Sequence, residues 1–169
     1  LRSLAGVAAQ TQADAERLEA LGARGVVVTG NLKFDIGVPP GARELASRLR
    51  GMFGASRPVV LAASTRDGEE EAILDALARS PLAGGTLLVI VPRHPQRFDG
   101  VAAMLAARGI ACARRSRDRP VPPDVRVVLG DSMGEMAGYY GAADVAFVGG
   151  SLVPLGGQNL IEAIAMGTP

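Results

Sequence analysis

The C-terminal stretch, residues 145–169, reads VAFVGGSLVPLGGQNLIEAIAMGTP. Residues 145–148 (VAFV) are apolar, with two valines and a phenylalanine, which predicts a short buried strand. One glycine pair follows at 149–150, and a second pair at 156–157 precedes a helical pattern. The predicted order is therefore a strand, a glycine-rich loop and the first turn of a helix. In this order, amide N–H groups without intrahelical partners lie at the positive end of the helix dipole. Such an arrangement is typical of an anion-binding site.

The helix predicted after the second glycine pair begins near Asn159. Asparagine is a favoured N-cap residue, and Glu162 follows three positions later, as in a capping box. A capping role is therefore one interpretation of Glu162, and ligand binding is the other. The apolar positions expected to face the core are Leu160, Ile161, Ile164 and Ala165.

Strand and helix patterns alternate along the rest of the chain, and the strands are continuous apolar runs. Residues 58–63 (PVVLAA), 86–91 (TLLVIV) and 125–129 (VRVVL) are examples. This alternation predicts an α/β fold with a Rossmann-like, doubly wound parallel sheet. The length of 169 residues favours one domain.

Polar segments follow the predicted strands. In a parallel sheet of this kind ligands bind beyond the carboxyl ends of the strands, so these segments should share one edge. The sequence has neither a G-x-G-x-x-G pattern nor a P-loop, which disfavours a hydride-transfer enzyme and a P-loop nucleotidase. The segments are residues 31–33, 64–66, 92–94, 130–135 and 149–151.

Composition narrows the choice of ligand. The chain has 18 basic and 17 acidic residues, a net charge of +1, so nucleic acid is not an expected partner. Residues 114–119 (RRSRDR) form a local basic cluster, which is either a solvated loop or an anion-binding surface. The chain has one cysteine, Cys112, so a disulfide framework is excluded. It has one histidine, His94, so a multi-histidine metal site is excluded as well. The cysteine usage indicates a reducing, cytoplasmic setting.

Four motifs together carry a family resemblance: residues 30–35 (GNLKFD), 92–95 (PRHP), 130–135 (GDSMGE) and 149–162 (GGSLVPLGGQNLIE). In this order they resemble the C-terminal half of Kdo transferases. These enzymes transfer 3-deoxy-D-manno-octulosonic acid (Kdo) from CMP-Kdo to a lipid A precursor in lipopolysaccharide synthesis. The resemblance covers nearly the whole chain.

The resemblance implies a two-domain GT-B glycosyltransferase whose C-terminal domain holds the nucleotide. Residues 1–169 would be that CMP-Kdo-binding domain, truncated at both ends, with the N-terminal acceptor domain absent. The catalytic base would lie in that absent domain, so no catalytic residue is expected here, and the chain alone should be inactive. The parent enzyme would invert the anomeric centre without a metal or other cofactor.

The resemblance also implies partners and a location. The parent would bind CMP-Kdo, release CMP, and meet the lipid A precursor by peripheral contact at the cytoplasmic face of the bacterial inner membrane. The fragment itself should be soluble. The absence of the strand expected after Pro169 would leave an open sheet edge, at which self-association is expected.

Site residues follow from the matched motifs. Glu162 would accept hydrogen bonds from the ribose, and Arg93 would pair with the CMP phosphate or the Kdo carboxylate, with Pro92 against the cytosine. Lys33 would help to hold anions. The further nucleotide-sugar contacts implied are Ser64, Thr65, Met133, Gly134, Glu135, Gly150, Ser151, Gly156, Gly157 and Asn159. Gln158 departs from the family pattern, which usually has histidine there.

Two other functions fit the same residues. A GT-B glycosyltransferase that uses a UDP-sugar would share the glycine loop and the helix, but the PRHP and MGE stretches favour CMP-Kdo. A non-catalytic nucleotide- or phosphate-binding module would share the anion site without any transfer. For Glu135 and for Ser64 with Thr65, helix capping is the competing structural interpretation.

Overall fold

A computed structural model of the chain describes residues 1–31, 37–154 and 156–169. The chain divides into two compact units, Leu1–Ile36 and Gly37–Pro169. The length of the sequence, in contrast, favours one domain. Lys33 lies outside the described residues. Every other predicted site residue belongs to the second unit.

The first unit contains a strand–helix–strand element. Strands β1 (Val7–Ala9) and β2 (Val26–Val28) pair in parallel, and helix α1 (Gln12–Ala20) connects them. Thr11 is the N-cap of α1, since its hydroxyl accepts a hydrogen bond from the amide of Asp14 at 3.1 Å.

The second unit is built on one parallel sheet of five strands in the order β5-β6-β4-β3-β7. Its strands are β3 (Val59–Thr65), β4 (Leu87–Pro92), β5 (Cys112–Arg114), β6 (Val127–Leu129) and β7 (Val145–Val148). Its α-helices are α2 (Ala42–Phe53), α3 (Glu69–Ala78), α4 (Phe98–Ala107), α5 (Met136–Ala142) and α6 (Ile161–Met166).

Helices cover both faces of this sheet, so the predicted doubly wound α/β fold is confirmed. Leu61 and Val89 face one core, which α2 and α5 complete with Leu49, Phe53 and Tyr139. The neighbouring positions Ala62, Leu88 and Ile90 face the other core, which α3 and α4 complete with Leu74, Val101 and Leu105. Strands buried on both faces read as continuous apolar runs, which is the pattern in the sequence.

Glycines let α5 approach α2 closely. A Cβ at Gly138 would lie 2.6 Å from the Leu45 side chain, and one at Gly141 would lie 2.8 Å from the Cβ of Ala46. Any larger residue at either position would push the helices apart. Tyr139 and Tyr140, which lie between these two glycines on α5, are both buried and belong to the same core as Leu49 and Phe53.

The carboxyl end of β3 carries an irregularity. The register with β4 shifts between Ala63 and Thr65, and Ser64 has a left-handed backbone with φ of 53°. Gly149, after β7, packs against this bulge, because a Cβ there would overlap the carbonyl oxygen of Ser64. A bulge of this kind redirects a side chain at the end of a strand.

The prediction of which α6 residues face the core was wrong. Leu160 and Ile164 are 54% and 71% exposed, whereas Ala163 is buried against the first of the two cores. The helix also begins later than predicted, at Ile161, so the apolar residues around it do not all share one buried face.

Candidate functional site

A cleft of about 330 Å³ opens at the carboxyl ends of the central strands of the second unit. Parallel α/β sheets bind ligands in this position, and the volume is within the range of small-molecule sites. Residues from β3, β4, the loop after β6, α5 and the start of α6 contribute to the wall. The lining residues are Ser64, Val91, Pro92, Arg93, Ser132, Met133, Gly134, Glu135, Met136, Tyr139, Tyr140, Gln158, Asn159 and Glu162.

The structure brings most of the predicted site residues together in this cleft. Those that line it are Ser64, Pro92, Arg93, Met133, Gly134, Glu135, Asn159 and Glu162. Those that do not are Thr65, Gly150, Ser151, Gly156 and Gly157.

Sequence reasoning missed several lining residues. Tyr139 and Tyr140 belong to a predicted helix, and no sequence pattern indicated that they line a cavity. Ser132 could have been found, since it belongs to the polar segment after β6. Gln158 was singled out only as a departure from the family pattern, yet it lines the cleft beside Asn159.

Glu162 presents an exposed carboxylate to the cleft from the first turn of α6. Among the described residues it makes no hydrogen bond or salt bridge, so the capping box expected with Asn159 is absent there. The cap is different: the side-chain oxygen of Asn159 accepts a hydrogen bond from the amide of Ile161 at 3.0 Å. The carboxylate of Glu162 is therefore available to a ligand.

Tyr140 lies close to Glu162 in the cleft wall. Burial raises the pKa of Tyr140 to about 12, and the negative charge of Glu162 contributes to the same shift. The phenol therefore stays protonated at neutral pH and can donate a hydrogen bond into the cleft.

Arg93 follows β4 and is exposed at the rim of the cleft, and no described residue forms an ion pair with it. A guanidinium in this state can pair with a phosphate or carboxylate. Its neighbour His94 does not line the cleft, and its Nε2 lies 2.9 Å from the guanidinium of Arg66.

Glu135 also lines the cleft, but both of its carboxylate oxygens have internal partners. One accepts from Arg115 at 2.8 Å and the other from Ser132 at 2.6 Å. The Ser132 hydroxyl is in turn 2.7 Å from the hydroxyl of Tyr139. Burial raises the pKa of Tyr139, so this network holds a neutral phenol beside a paired carboxylate. Glu135 serves here to fix the cleft wall.

Acidic partners neutralise much of the basic cluster at residues 114–119. Arg114 pairs with Asp131 at 2.6 Å and Asp99 at 2.8 Å, and Arg115 pairs with Asp118 and Glu135. The side chain of Asp131 is 2% exposed and also accepts from the amide and hydroxyl of Ser116. Arg114 and Arg115 thus connect the ends of β5 and β6, whereas Arg117 and Arg119 are exposed and form no salt bridge among the described residues.

The glycine loops use several of the donors that were predicted to meet a phosphate. The amide of Gly150 donates to Glu69 at 2.9 Å, and the amide of Gly157 donates to the carbonyl of Gly150 at 2.9 Å. The Ser151 hydroxyl donates to Val148, and the Thr65 hydroxyl donates to Glu70 at 2.6 Å. Internal acceptors compete with any ligand for these groups, because each donor already has a partner at hydrogen-bond distance.

Residues 1–31, 37–154 and 156–169 give little support to a metal site, a nucleophilic cysteine or a membrane-spanning helix. No group of three or more His, Cys, Asp or Glu side chains there is arranged to hold a metal ion. Burial raises the pKa of the half-buried Cys112 thiol, which disfavours a nucleophilic thiolate. In the same part of the chain, every helix is too short or too polar to cross a bilayer.

Known proteins resemble the chain along its length. A family model described as 3-deoxy-D-manno-octulosonic-acid transferase (kdotransferase) matches residues 1–36. The 3-deoxy-D-manno-octulosonic acid transferase of Bordetella pertussis is 48% identical, over 100% of this chain and 40% of the relative. The protein of the same name from Haemophilus influenzae is 40% identical, over 96% of this chain and 39% of the relative. The chain spans about two fifths of the length of these curated relatives.

A solved structure also resembles the chain. The crystal structure of the C-terminal CMP-Kdo binding domain of WaaA from Acinetobacter baumannii is 34% identical, with a TM-score of 0.66. The match covers 76% of this chain and 68% of that domain. The resemblance inferred from the four motifs is thereby confirmed, and so is the predicted Rossmann-like fold of a C-terminal GT-B domain. The chain belongs to the Kdo transferase family.

Proposed function

We propose that the unit Gly37–Pro169 binds the nucleotide sugar CMP-Kdo in the cleft at the carboxyl ends of its strands. The observation that carries this proposal is the pair of opposite charges, Arg93 and Glu162, which face one cleft without partners among the described residues. The solved relative from Acinetobacter baumannii, described as a CMP-Kdo binding domain, supports the choice of ligand.

The groups in the cleft suit the parts of this ligand. The Glu162 carboxylate can accept from two neighbouring ribose hydroxyls at once. Arg93 can hold the phosphate or the sugar carboxylate, and would stabilise the CMP anion as it leaves. Pro92 and the residues 132–134 would meet the base, while Tyr140 offers a neutral hydroxyl donor beside the ribose.

The complete reaction is part of the proposal. The longer protein would transfer Kdo from CMP-Kdo to a lipid A precursor with inversion and without a metal, at the cytoplasmic face of the inner membrane. A base outside the cleft would remove the proton from the acceptor hydroxyl. The described cleft then has one task, which is to hold the donor and neutralise its leaving group.

Calorimetric titration of the 169-residue chain with CMP tests this proposal. We expect CMP to bind more tightly than UMP or UDP. Glu162→Ala should weaken CMP binding about 10- to 100-fold, since hydrogen bonds to a charged group contribute roughly 1.5–3 kcal/mol. Glu44→Ala is a matched control, because Glu44 is also an exposed acid in the first turn of a helix and is not among the residues that line the cleft.

The controls separate the alternatives. A preference for UDP would favour a UDP-sugar transferase over a Kdo transferase. Equal losses in Glu162→Ala and Glu44→Ala would remove the assigned role of Glu162. A folded chain that binds none of the three nucleotides would contradict the proposal.

A further inference from the structure

Glu69, at the start of α3, is completely buried although it is an acid. One carboxylate oxygen accepts from the amides of Gly150 at 2.9 Å and Arg66 at 2.8 Å. The other oxygen accepts from the amide of Leu152 at 3.0 Å. Both oxygens are therefore engaged, and every one of these donors is a backbone N–H.

The needs of the helix do not account for this arrangement. An acidic side chain in the first turn of a helix is ordinarily exposed, and there it interacts favourably with the positive end of the helix dipole. The contact with Arg66 is local, but Gly150 and Leu152 lie 81 and 83 residues further along the chain. Glu69 thus connects the start of α3 to the loop that follows β7.

The loop held in this way continues to the cleft. The carbonyl of Gly150 accepts from the amide of Gly157 at 2.9 Å, so the first glycine pair holds the second. The side chain of Gln158 lies against Gly150, where a Cβ would come within 3.2 Å of its Nε2. Gln158 and its neighbour Asn159 line the cleft. An unbroken series of contacts therefore joins Glu69 to the cleft wall.

We propose that Glu69 is a positioning residue for the nucleotide site, holding the loop 149–152 so that Gln158 and Asn159 face the ligand. Glu69 does not line the cleft and touches no ligand in this scheme. The inference rests on the proposed function of the cleft as a CMP site.

A carboxylate is required at this position, because three N–H groups need acceptors. Glutamine would keep one oxygen and turn its NH₂ group toward amide donors, which leaves at least one of them without an acceptor. Burial by itself raises the pKa of Glu69, but the hydrogen bonds from Gly150, Arg66 and Leu152 outweigh it and lower the pKa. The group is accordingly an anion at neutral pH, as three accepted hydrogen bonds require.

The test compares Glu69→Gln with Asp144→Asn in the 169-residue chain. Asp144 is a matched control: it accepts from the amide of Val59 at 2.7 Å and from Arg50 at 3.0 Å, at the opposite end of the strands. We expect Glu69→Gln to weaken CMP binding at least about 10-fold. Asp144→Asn should lower the unfolding midpoint and leave the dissociation constant for CMP within about 2-fold of the wild type.

Hydrogen exchange keeps the inference testable even if Glu69→Gln does not fold. In the wild-type chain the amides of Gly150 and Leu152 should exchange slowly for loop residues, because a buried carboxylate accepts both. Exchange as fast as in an exposed loop would overturn the inference. So would a Glu69→Gln variant that binds CMP like the wild type, or an equal loss in Asp144→Asn. Failure of the wild-type chain to bind CMP would instead count against the proposed function.

Discussion

The start of α3 and the rim of the cleft both carry charged residues, in opposite states. At α3, Glu69 and Glu70 are 0% and 1% exposed, and every carboxylate oxygen there has a donor. At the rim, Glu162 and Arg93 are exposed, and no described residue pairs with either. The difference distinguishes charges that hold the fold from charges that remain available to a ligand.

The sequence alone does not make this distinction. Glu69, Glu70 and Glu71 form an acidic run that favours the first turn of a helix, and nothing in the sequence distinguishes the first two, which are buried, from the third. Glu162 reads equally well as a capping residue. Internal hydrogen bonds, which only the folded chain defines, decide which acid has spare capacity to bind.

The largest expected effect is on stability, in Glu70→Ala. Arg97 donates two hydrogen bonds to Glu70, at 2.6 and 3.0 Å, and the buried Thr65 hydroxyl donates a third. Removing the acceptor breaks the buried ion pair and leaves the part-buried guanidinium of Arg97 only the fully exposed carboxylate of Asp67 as a charged partner, which costs roughly 3–5 kcal/mol. Urea unfolding should show this loss, whereas Glu162→Ala should change the free energy of unfolding by under about 0.5 kcal/mol. Similar losses in the two variants would break the comparison.

Gly149→Ala should have the next largest effect, because it acts where the two regions meet. A Cβ at Gly149 would overlap the carbonyl oxygen of Ser64, so β7 and β3 would have to separate. Overpacking of this kind costs about 1–3 kcal/mol, and the shift of Ser64 should also weaken CMP binding. Thermal unfolding and titration together would measure both.

Gly51→Ala is the control for Gly149→Ala. Gly51 is exposed in the last turn of α2, with nothing within 4 Å of the added Cβ. Alanine there should stabilise the helix by roughly 0.5–1 kcal/mol and leave CMP binding unchanged. Destabilisation by both substitutions would show that the close approach of Gly149 to Ser64 is not the cause.

Arg93→Ala tests the charge at the rim without disturbing the fold. We expect CMP affinity to fall about 10- to 100-fold, as for the loss of a hydrogen bond to a charged group, while cytidine binding and stability stay nearly constant. Arg119→Ala, a substitution of an exposed arginine outside the cleft lining, serves as the control. Equal losses for CMP and cytidine would mean that Arg93 does not contact the phosphate.

The smallest expected effect concerns pH, in Asp131→Asn. Burial raises the pKa of Asp131, but hydrogen bonds from Ser116 and Arg114 outweigh it, so the folded pKa lies below the usual value. The stabilisation is thus complete above the unfolded pKa of about 3.9 and is lost as the pH falls through the folded pKa. Asp131→Asn should cost about 1.5 kcal/mol at pH 7 and less at pH 3. A cost independent of pH would contradict the paired state of Asp131.

Much of the fold could be predicted, because continuous apolar runs identify strands that are buried on both faces. The strand at 86–91 was predicted within one residue of the observed β4. Bounds were poorer for β6, predicted at 125–129 and observed at Val127–Leu129, since the end residues of a short strand carry little periodicity. The rule that ligands bind at strand ends predicted a shared edge for residues 92–94, and Arg93 lines the cleft there, whereas Glu162 was singled out by the motif that carries the family resemblance.

The sequence by itself determined the alternation of strands and helices, the edge of the sheet that carries polar loops, and the motifs that identify the family. These follow from periodicity and local residue order, which do not depend on distant contacts. Only the tertiary structure decided which hydrogen-bonding groups are free. Glu69 accepts from Gly150 because two segments 81 residues apart meet, and Glu162 remains unpaired because nothing in the described chain reaches it. Whether a polar group is free to bind a ligand depends on which groups lie next to it in space, and residue order along the chain does not specify those neighbours.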